Sequence, residues 1–220
     1  MVDFLILLEE IVSYNKKMID SGLTPPKIYE LCCCIREAFC LSYAIRKENN
    51  LYLYSSNNQL LVKFNGYKLK YLGSDERSQA LLLFKAINKI KNITNSQISN
   101  WLISTPGILV KKIDSRIDSL IASLSLDIDD YRIVIDSNKL NQTDKSVLLE
   151  DYEFRLTDKN SLFIISTFNI SKHNTAYHSS LKNNLNNLLI LTSNNITKPQ
   201  DQILYINYKL DSLKNDFKKL

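Results

Sequence analysis

Histidine and cysteine are the residue types from which proton transfer, nucleophilic attack and metal binding are most often built, and this chain has two histidines and four cysteines. Neither set is spaced for such work. His173 and His178 lack an orienting partner in the sequence and read as surface histidines. All four cysteines fall between Cys32 and Cys40, three of them consecutive. Nothing elsewhere completes a four-ligand zinc set or a spread disulfide framework. They read as reduced packing thiols, and no metal is expected. The basic residues are better placed: Lys111 and Lys112 follow the apolar run Ile108-Leu109-Val110, with Arg116 four residues on. With Arg46 they can form a phosphate-binding face, each neutralised phosphate adding salt-dependent affinity; scattered solvated charges are the plainer alternative. A net charge of +5 and a pI near 8.9 suit a polyanionic partner without requiring one.

These residues need elements to hold them. Ser104-Thr105-Pro106-Gly107 is a turn, because Pro fixes its own φ and Gly supplies conformations a Cβ forbids. A strand should start at Ile108. Trp101, the single tryptophan, either stacks on a base or anchors this turn against the core. Upstream, residues 2–8 read as a strand and 15–26 as a loop. Residues 27–47 read as an amphipathic helix carrying Ile28, Leu31, Cys32, Ile35, Phe39, Tyr43 and Ile45 on one stripe. Residues 51–55 and 60–64 predict a hairpin, with a third β-prone run at 67–72. Ser74-Asp75-Glu76-Arg77 supplies a cap and acids for a second helix ending near Lys91. Beyond it come a short helix to Leu124, near-continuous apolar strands at 132–136, 162–167 and 188–192, a polar helix at 176–187, and a final helix opened by Pro199. Strands alternating with helices predict an α/β fold.

At 220 residues a single domain spanning 1–220 is expected. No run approaches the ~20 apolar residues that span a bilayer. The first ten residues lack the basic start and long apolar region of a signal peptide. A cytoplasmic protein is therefore expected, with no membrane partner.

Several stretches also recur together in a known family. Leu31-Cys32 with Cys34, Ala38-Phe39 with Leu41-Ser42, Ile45-Arg46, Lys63-Phe64 with Gly66, Asp75-Glu76-Arg77, Trp101 with Ser104-Thr105-Pro106-Gly107-Ile108, Val110 and Arg116 match one pattern in order and spacing. In this the chain resembles the archaeal tRNA pseudouridine-54 N1-methyltransferases of the SPOUT superfamily, from about residue 27 to residue 116. The resemblance implies an α/β fold with helices on both faces of the sheet and a C-terminal trefoil knot. It also implies S-adenosylmethionine bound in the knot loops, a homodimer, and N1 of pseudouridine 54 in tRNA as methyl acceptor. Asp75 and Arg77 would be the catalytic pair. Cofactor contacts would come from Ile165, Ser166, Thr167, Thr192, Ser193, Ile203 and Leu204, and RNA contacts from Lys27, Arg46, Lys111, Lys112 and Arg116.

The transfer needs a donor sulfonium in line with a nitrogen that loses its proton, so positioning and a proton acceptor are the main requirements. A cation near the base oxygens stabilises the anion formed. The chain departs from the family pattern at Lys27 and Tyr29, where relatives carry Arg-x-Asp, at Cys33, where they carry Arg, and at 165–170, where they carry glycines. Gly107 is the last glycine. The expectation is thus an active methyltransferase, the alternative an RNA-binding protein of the same fold that has lost its cofactor.

Overall fold

The computed structural model describes residues 2–91, 100–114, 117–124, 132–136, 147–155, 161–166, 188–193 and 195–217. Strand β1 (Val2–Leu8) is buried along all seven residues, because both faces of the sheet are covered at this point. Its even positions Phe4, Ile6 and Leu8 enter one core and its odd positions Leu5 and Leu7 the other, as the two-residue period of a strand dictates.

Helix α1 (Lys16–Asp20) is capped by Asn15, whose Oδ1 accepts from the Met18 N–H at 3.0 Å. It falls inside the stretch expected to be loop; five residues are too few to show an apolar period. Helix α2 (Pro26–Phe39) begins with Pro in its first turn, where the missing N–H costs nothing. It buries Ile28, Leu31, Cys32, Ile35 and Phe39 against β1 and its neighbours, each full aliphatic burial contributing about 1.5–3 kcal/mol. The sequence places its end at Lys47, but the helix stops at Phe39. Cys40 is extended and bridges Ile45, and the Leu41 N–H donates to the Ala44 carbonyl. Tyr43 is therefore fully exposed rather than part of the buried stripe.

Strands β2 (Asn49–Ser55) and β3 (Leu60–Asn65) form the expected hairpin. The run at 67–72 is a loop, not a strand, and leads to helix α3 (Glu76–Lys91). Strands β4 (Leu102–Thr105) and β5 (Ile108–Lys112) flank the Pro106-Gly107 turn, where Gly107 takes φ +82°. Helix α4 is Ile117–Leu124, followed by β6 (Arg132–Asp136), β7 (Val147–Leu148), β8 (Ser161–Ser166), β9 (Leu188–Thr192) and helix α5 (Pro199–Phe217). The helix expected at 176–187 lies outside the described residues.

The strands make one sheet in the order β4-β5-β3-β2-β1-β8-β6-β9-β7. The side from β2 to β7 is parallel and the β2-β3-β5-β4 side antiparallel. This is a mixed α/β protein with a mostly parallel central sheet. The larger core joins one sheet face to α2, α3 and α5; the smaller sets Leu5, Tyr52, Tyr54, Leu61 and Ile164 against Leu120 and Leu124 of α4, with Trp101 packed at its edge. Trp101 thus takes its packing role. No described helix is long and apolar enough to cross a membrane.

Candidate functional site

The loop into α3 is closed by its own polar groups. Asp75 Oδ1 accepts the Ser78 N–H at 2.8 Å, which makes Asp75 the helix cap. The Gly73 N–H donates to Ser78 Oγ at 3.0 Å, and Gln79 Nε2 donates to the Gly73 carbonyl at 3.1 Å. A Cβ on Gly73 would stand 2.5 Å from Asp75 Oδ2 and 2.7 Å from Ser78 Oγ, so both side chains pack directly on the glycine. Arg77 reaches neither Asp75 nor Glu76 for an ion pair. Its Nη2 and Nε donate to Asp20 Oδ1 at 2.7 and 3.2 Å. With side chains 61% and 40% exposed, that pair contributes less than about 1 kcal/mol. It aims the guanidinium more than it stabilises the fold.

The second group of expected residues sits at the carboxyl ends of the parallel strands, where open α/β sheets bind ligands. Ile165 on β8 is buried in register with Ile6 and Asp136, and Ser166 ends the strand opposite Leu7. Thr167 lies outside the described residues. Thr192 closes β9 and its carbonyl accepts the Leu149 N–H at 2.6 Å. Ser193 is wholly buried, donates through Oγ to Glu150 Oε1 at 2.6 Å and accepts the Ile196 N–H at 2.8 Å. The Asn195 N–H also donates to Glu150 Oε1, at 3.2 Å. Burial works to raise the Glu150 carboxyl, but the bonds from Ser193 and the backbone N–H groups outweigh it and hold it below the usual range.

Beside this loop lies a shallow apolar recess with room for about one water molecule, walled by Leu149, Phe163, Ile165, Leu191 and Ile206, with Gln202 at its side. Gln202 donates through Nε2 to the Ile196 carbonyl at 3.0 Å. Its Oε1, like Glu150 Oε2, is buried without a hydrogen-bond partner, a costly state unless something donates to it. Of the expected cofactor residues, Ile165 lines the recess and Thr192 and Ser193 build its loop. Ile203 is buried one position away in the α5 core stripe, and Leu204 is 49% exposed. Glu150 did not stand out in the sequence, where it opens the run Glu150-Asp151-Tyr152-Glu153, because its partners come 43 and 45 residues later.

The expected basic face divides. Lys27 sits in the first turn of α2, 4.0 Å from the Glu10 carboxylate. Lys111 Nζ donates to Ser123 Oγ of α4 at 3.0 Å, and Lys112 pairs with Leu60 in the ladder. Arg46 lies toward the opposite end of β2 and β3, beside Asn49, with its guanidinium bonded to Asp211 of α5 and its Nε buried without a partner. Ser55 and Asn49 are six residues apart on β2, about 20 Å. Arg116 lies outside the described residues. The structure therefore does not gather the four described residues of this set into one surface. Among the described residues no group of three His, Cys, Asp or Glu can hold a metal. The cysteines are free thiols, and burial, with Glu76 and Cys33 nearby, pushes the Cys32 thiol up to about 12. Asp3 is also buried, with Asn50 donating to it at 2.8 Å.

Asp75 and the recess occupy one face of the sheet but different parts of it. Helix α3 packs on β5, β4, α1 and α2, whereas the recess belongs to β8, β9 and α5. Four strand spacings separate β5 from β8, about 19 Å.

No protein-family model matches the chain. Curated proteins do. The chain is 38% identical over 89 residues to the tRNA (pseudouridine(54)-N(1))-methyltransferase of Methanocaldococcus jannaschii, covering 39% of this chain and 43% of that one. It is 34% identical over 96 residues to the protein of the same name in Methanosarcina acetivorans, 42% of each chain, and 33% identical over 82 residues to that of Haloferax volcanii, 37% of this chain and 39% of the other. The match thus spans about two fifths of the length of these relatives.

Proposed function

We infer function from kinship: over the matched stretch this chain is homologous to the archaeal tRNA (pseudouridine(54)-N(1))-methyltransferases, and we propose that it methylates N1 of pseudouridine 54 in tRNA with S-adenosylmethionine. The homology carries this reading, and the recess supports it. The apolar walls from Leu149, Ile165 and Leu191 would meet a flat base only at its edge unless they move apart, and the unpartnered Gln202 Oε1 suits an amino donor. The Glu150 carboxylate suits a cationic group. The cofactor would supply an electrophilic methyl group on a sulfonium. The chain's own residues would do the rest.

In this mechanism Asp75 accepts the proton leaving N1, and Arg77 exchanges Asp20 for the uracil oxygens as negative charge develops there. Since Asp75 and the recess lie four strands apart in one chain, the proposal requires a homodimer in which α3 of one copy faces the recess of the other. The finer fold reading, a SPOUT-like single domain with a trefoil knot, rests on the family resemblance and on the parallel β6, β8 and β9, and the knot expectation falls largely on residues outside those described. A cytoplasmic, metal-free enzyme completes the proposal.

The test is calorimetric titration with S-adenosylmethionine and its demethylated product, with and without tRNA, followed by methyl transfer to tRNA carrying pseudouridine 54. Micromolar binding and transfer are expected. No heat at millimolar ligand would overturn the reading and leave the cofactor-free RNA-binding alternative, which the absence of glycine after Gly107 favours.

A further inference from the structure

Three side chains stand out on the surface: Tyr43, Tyr67 and Tyr71 are 102%, 78% and 79% exposed, more than any other large apolar residue among those described. All three come from one corner. Loop 41–48 and loop 66–73 meet where Gly66 passes between the backbones of Arg46 and Asn49, its N–H donating to the Asn49 carbonyl at 2.9 Å. A Cβ at Gly66 would lie 2.5 Å from both carbonyl oxygens. The second loop is pinned in turn to the Pro106-Gly107 turn, with the Lys70 N–H on the Pro106 carbonyl at 3.3 Å and the Leu69 backbone against Gly107.

Between the pins the sequence is Tyr67-Lys68-Leu69-Lys70-Tyr71. Leu69 is buried and the four residues around it are exposed. Tyr71 holds φ +66°, a conformation that an aromatic residue seldom adopts and that surrounding contacts must enforce. Lys47 is exposed on the neighbouring loop. Together the two loops carry Arg46, Lys47, Lys68 and Lys70 against the single acid Glu48, and Arg46 is engaged by Asp211.

The geometry points to a binding surface for unpaired RNA, in which bases stack on Tyr43, Tyr67 and Tyr71 while Lys47, Lys68 and Lys70 follow the phosphates. Tyrosine offers a flat face at small entropic cost, and alternation with lysine matches the alternation of base and phosphate along a strand. The surface deepens the function proposed above, resting on it only for the identity of the RNA as tRNA. It leads toward Asp75, since Gly73, two residues beyond Tyr71, accepts from Cys40 Sγ at 3.8 Å in the same corner. Of the described basic residues expected from sequence, Arg46 lies in this corner but is engaged by Asp211, and Lys27, Lys111 and Lys112 make other contacts.

Fluorescence anisotropy without cofactor tests it, using a tRNA transcript, a short single-stranded RNA oligonucleotide and an RNA duplex. The double variant Tyr67→Ala/Tyr71→Ala should weaken binding to the oligonucleotide about tenfold or more and leave the duplex unchanged. Tyr67→Phe/Tyr71→Phe should retain wild-type affinity, because the ring face remains. Lys68→Ala/Lys70→Ala should lower the slope of log affinity against log salt by about 1.4. Oligonucleotide affinity within twofold of wild type for the alanine pair overturns the surface, as does an equal loss on the duplex. Methyl transfer enters none of these readouts. Binding through the tyrosines with no cofactor heat would remove the enzyme and keep the surface; unchanged binding by the alanine pair in a working enzyme would do the reverse.

Discussion

The entrance to α3 and the recess beside β9 handle polar groups in opposite ways. At α3 the charges are exposed: Asp75 caps the helix, and Arg77 reaches Asp20 through a pair open to solvent. At the recess, Gln202 Oε1 is buried beside apolar walls with no donor, and Glu150 Oε2, on the residue after Leu149, is buried without one as well. In water the first arrangement rearranges cheaply, which suits contact with a large polyanion. In a low-dielectric pocket an unmet acceptor weighs heavily, which suits selection of a small ligand. Acids stand in both places, so it is burial rather than residue type that sets the two regions apart.

The sharpest way to break this comparison is Asp75→Asn. Asparagine caps a helix as well as aspartate does, so the melting temperature should hold while turnover falls about 10²- to 10⁴-fold and calorimetric cofactor affinity is unchanged. A loss of cofactor affinity would mean that Asp75 takes part in holding the cofactor rather than in proton removal alone. Mixing this variant with Leu191→Trp, whose recess is filled, should restore part of the activity as the two chains complement across a dimer.

Smaller effects follow. Gly107→Ala places a Cβ 2.4 Å from the Leu69 backbone at φ +82° and should cost about 2–4 kcal/mol in urea unfolding. Glu150→Gln tests the recess by pH. The folded carboxyl is held below its unfolded value, so its stabilisation is complete above the unfolded value and disappears as pH falls through the folded one. Wild type should therefore lose stability more steeply in acid than the variant, in melts from pH 7 downward. The smallest effect on folding is that of Arg77→Ala, under about 1 kcal/mol. Under the proposed function its tRNA affinity should nevertheless fall measurably in a filter-binding assay, as Arg77 would exchange Asp20 for the RNA.

Where neighbours along the chain decide the structure, the sequence was legible. The apolar runs at β1, β6, β8 and β9, the β2-β3 hairpin and the Pro106-Gly107 turn are all local patterns, and each formed as read. The end of α2 was not, because Tyr43 and Ile45 continue the helical period and only the Cys40 to Ile45 bridge shows that the chain has turned. The site divides in the same way. Asp75-Glu76-Arg77 stood out as a motif, yet the Arg77 partner lies 57 residues away and the Arg46 partner 165. Glu150 becomes conspicuous only when Ser193 and Asn195 fold onto it. Pairings of that reach have no spacing to read.

The staples at Gly66 and Gly107 have a consequence for how this molecule can change. They join three loops through backbone contacts, so the placement of residues 43 and 67 rests on backbone rather than on their own side chains, while residue 71, at φ +66°, admits only side chains that tolerate that conformation. Side chains displayed at 43 and 67 inherit the same positions, and the corner is a chassis on which a new preference can be installed by surface substitution, provided the two glycines stay.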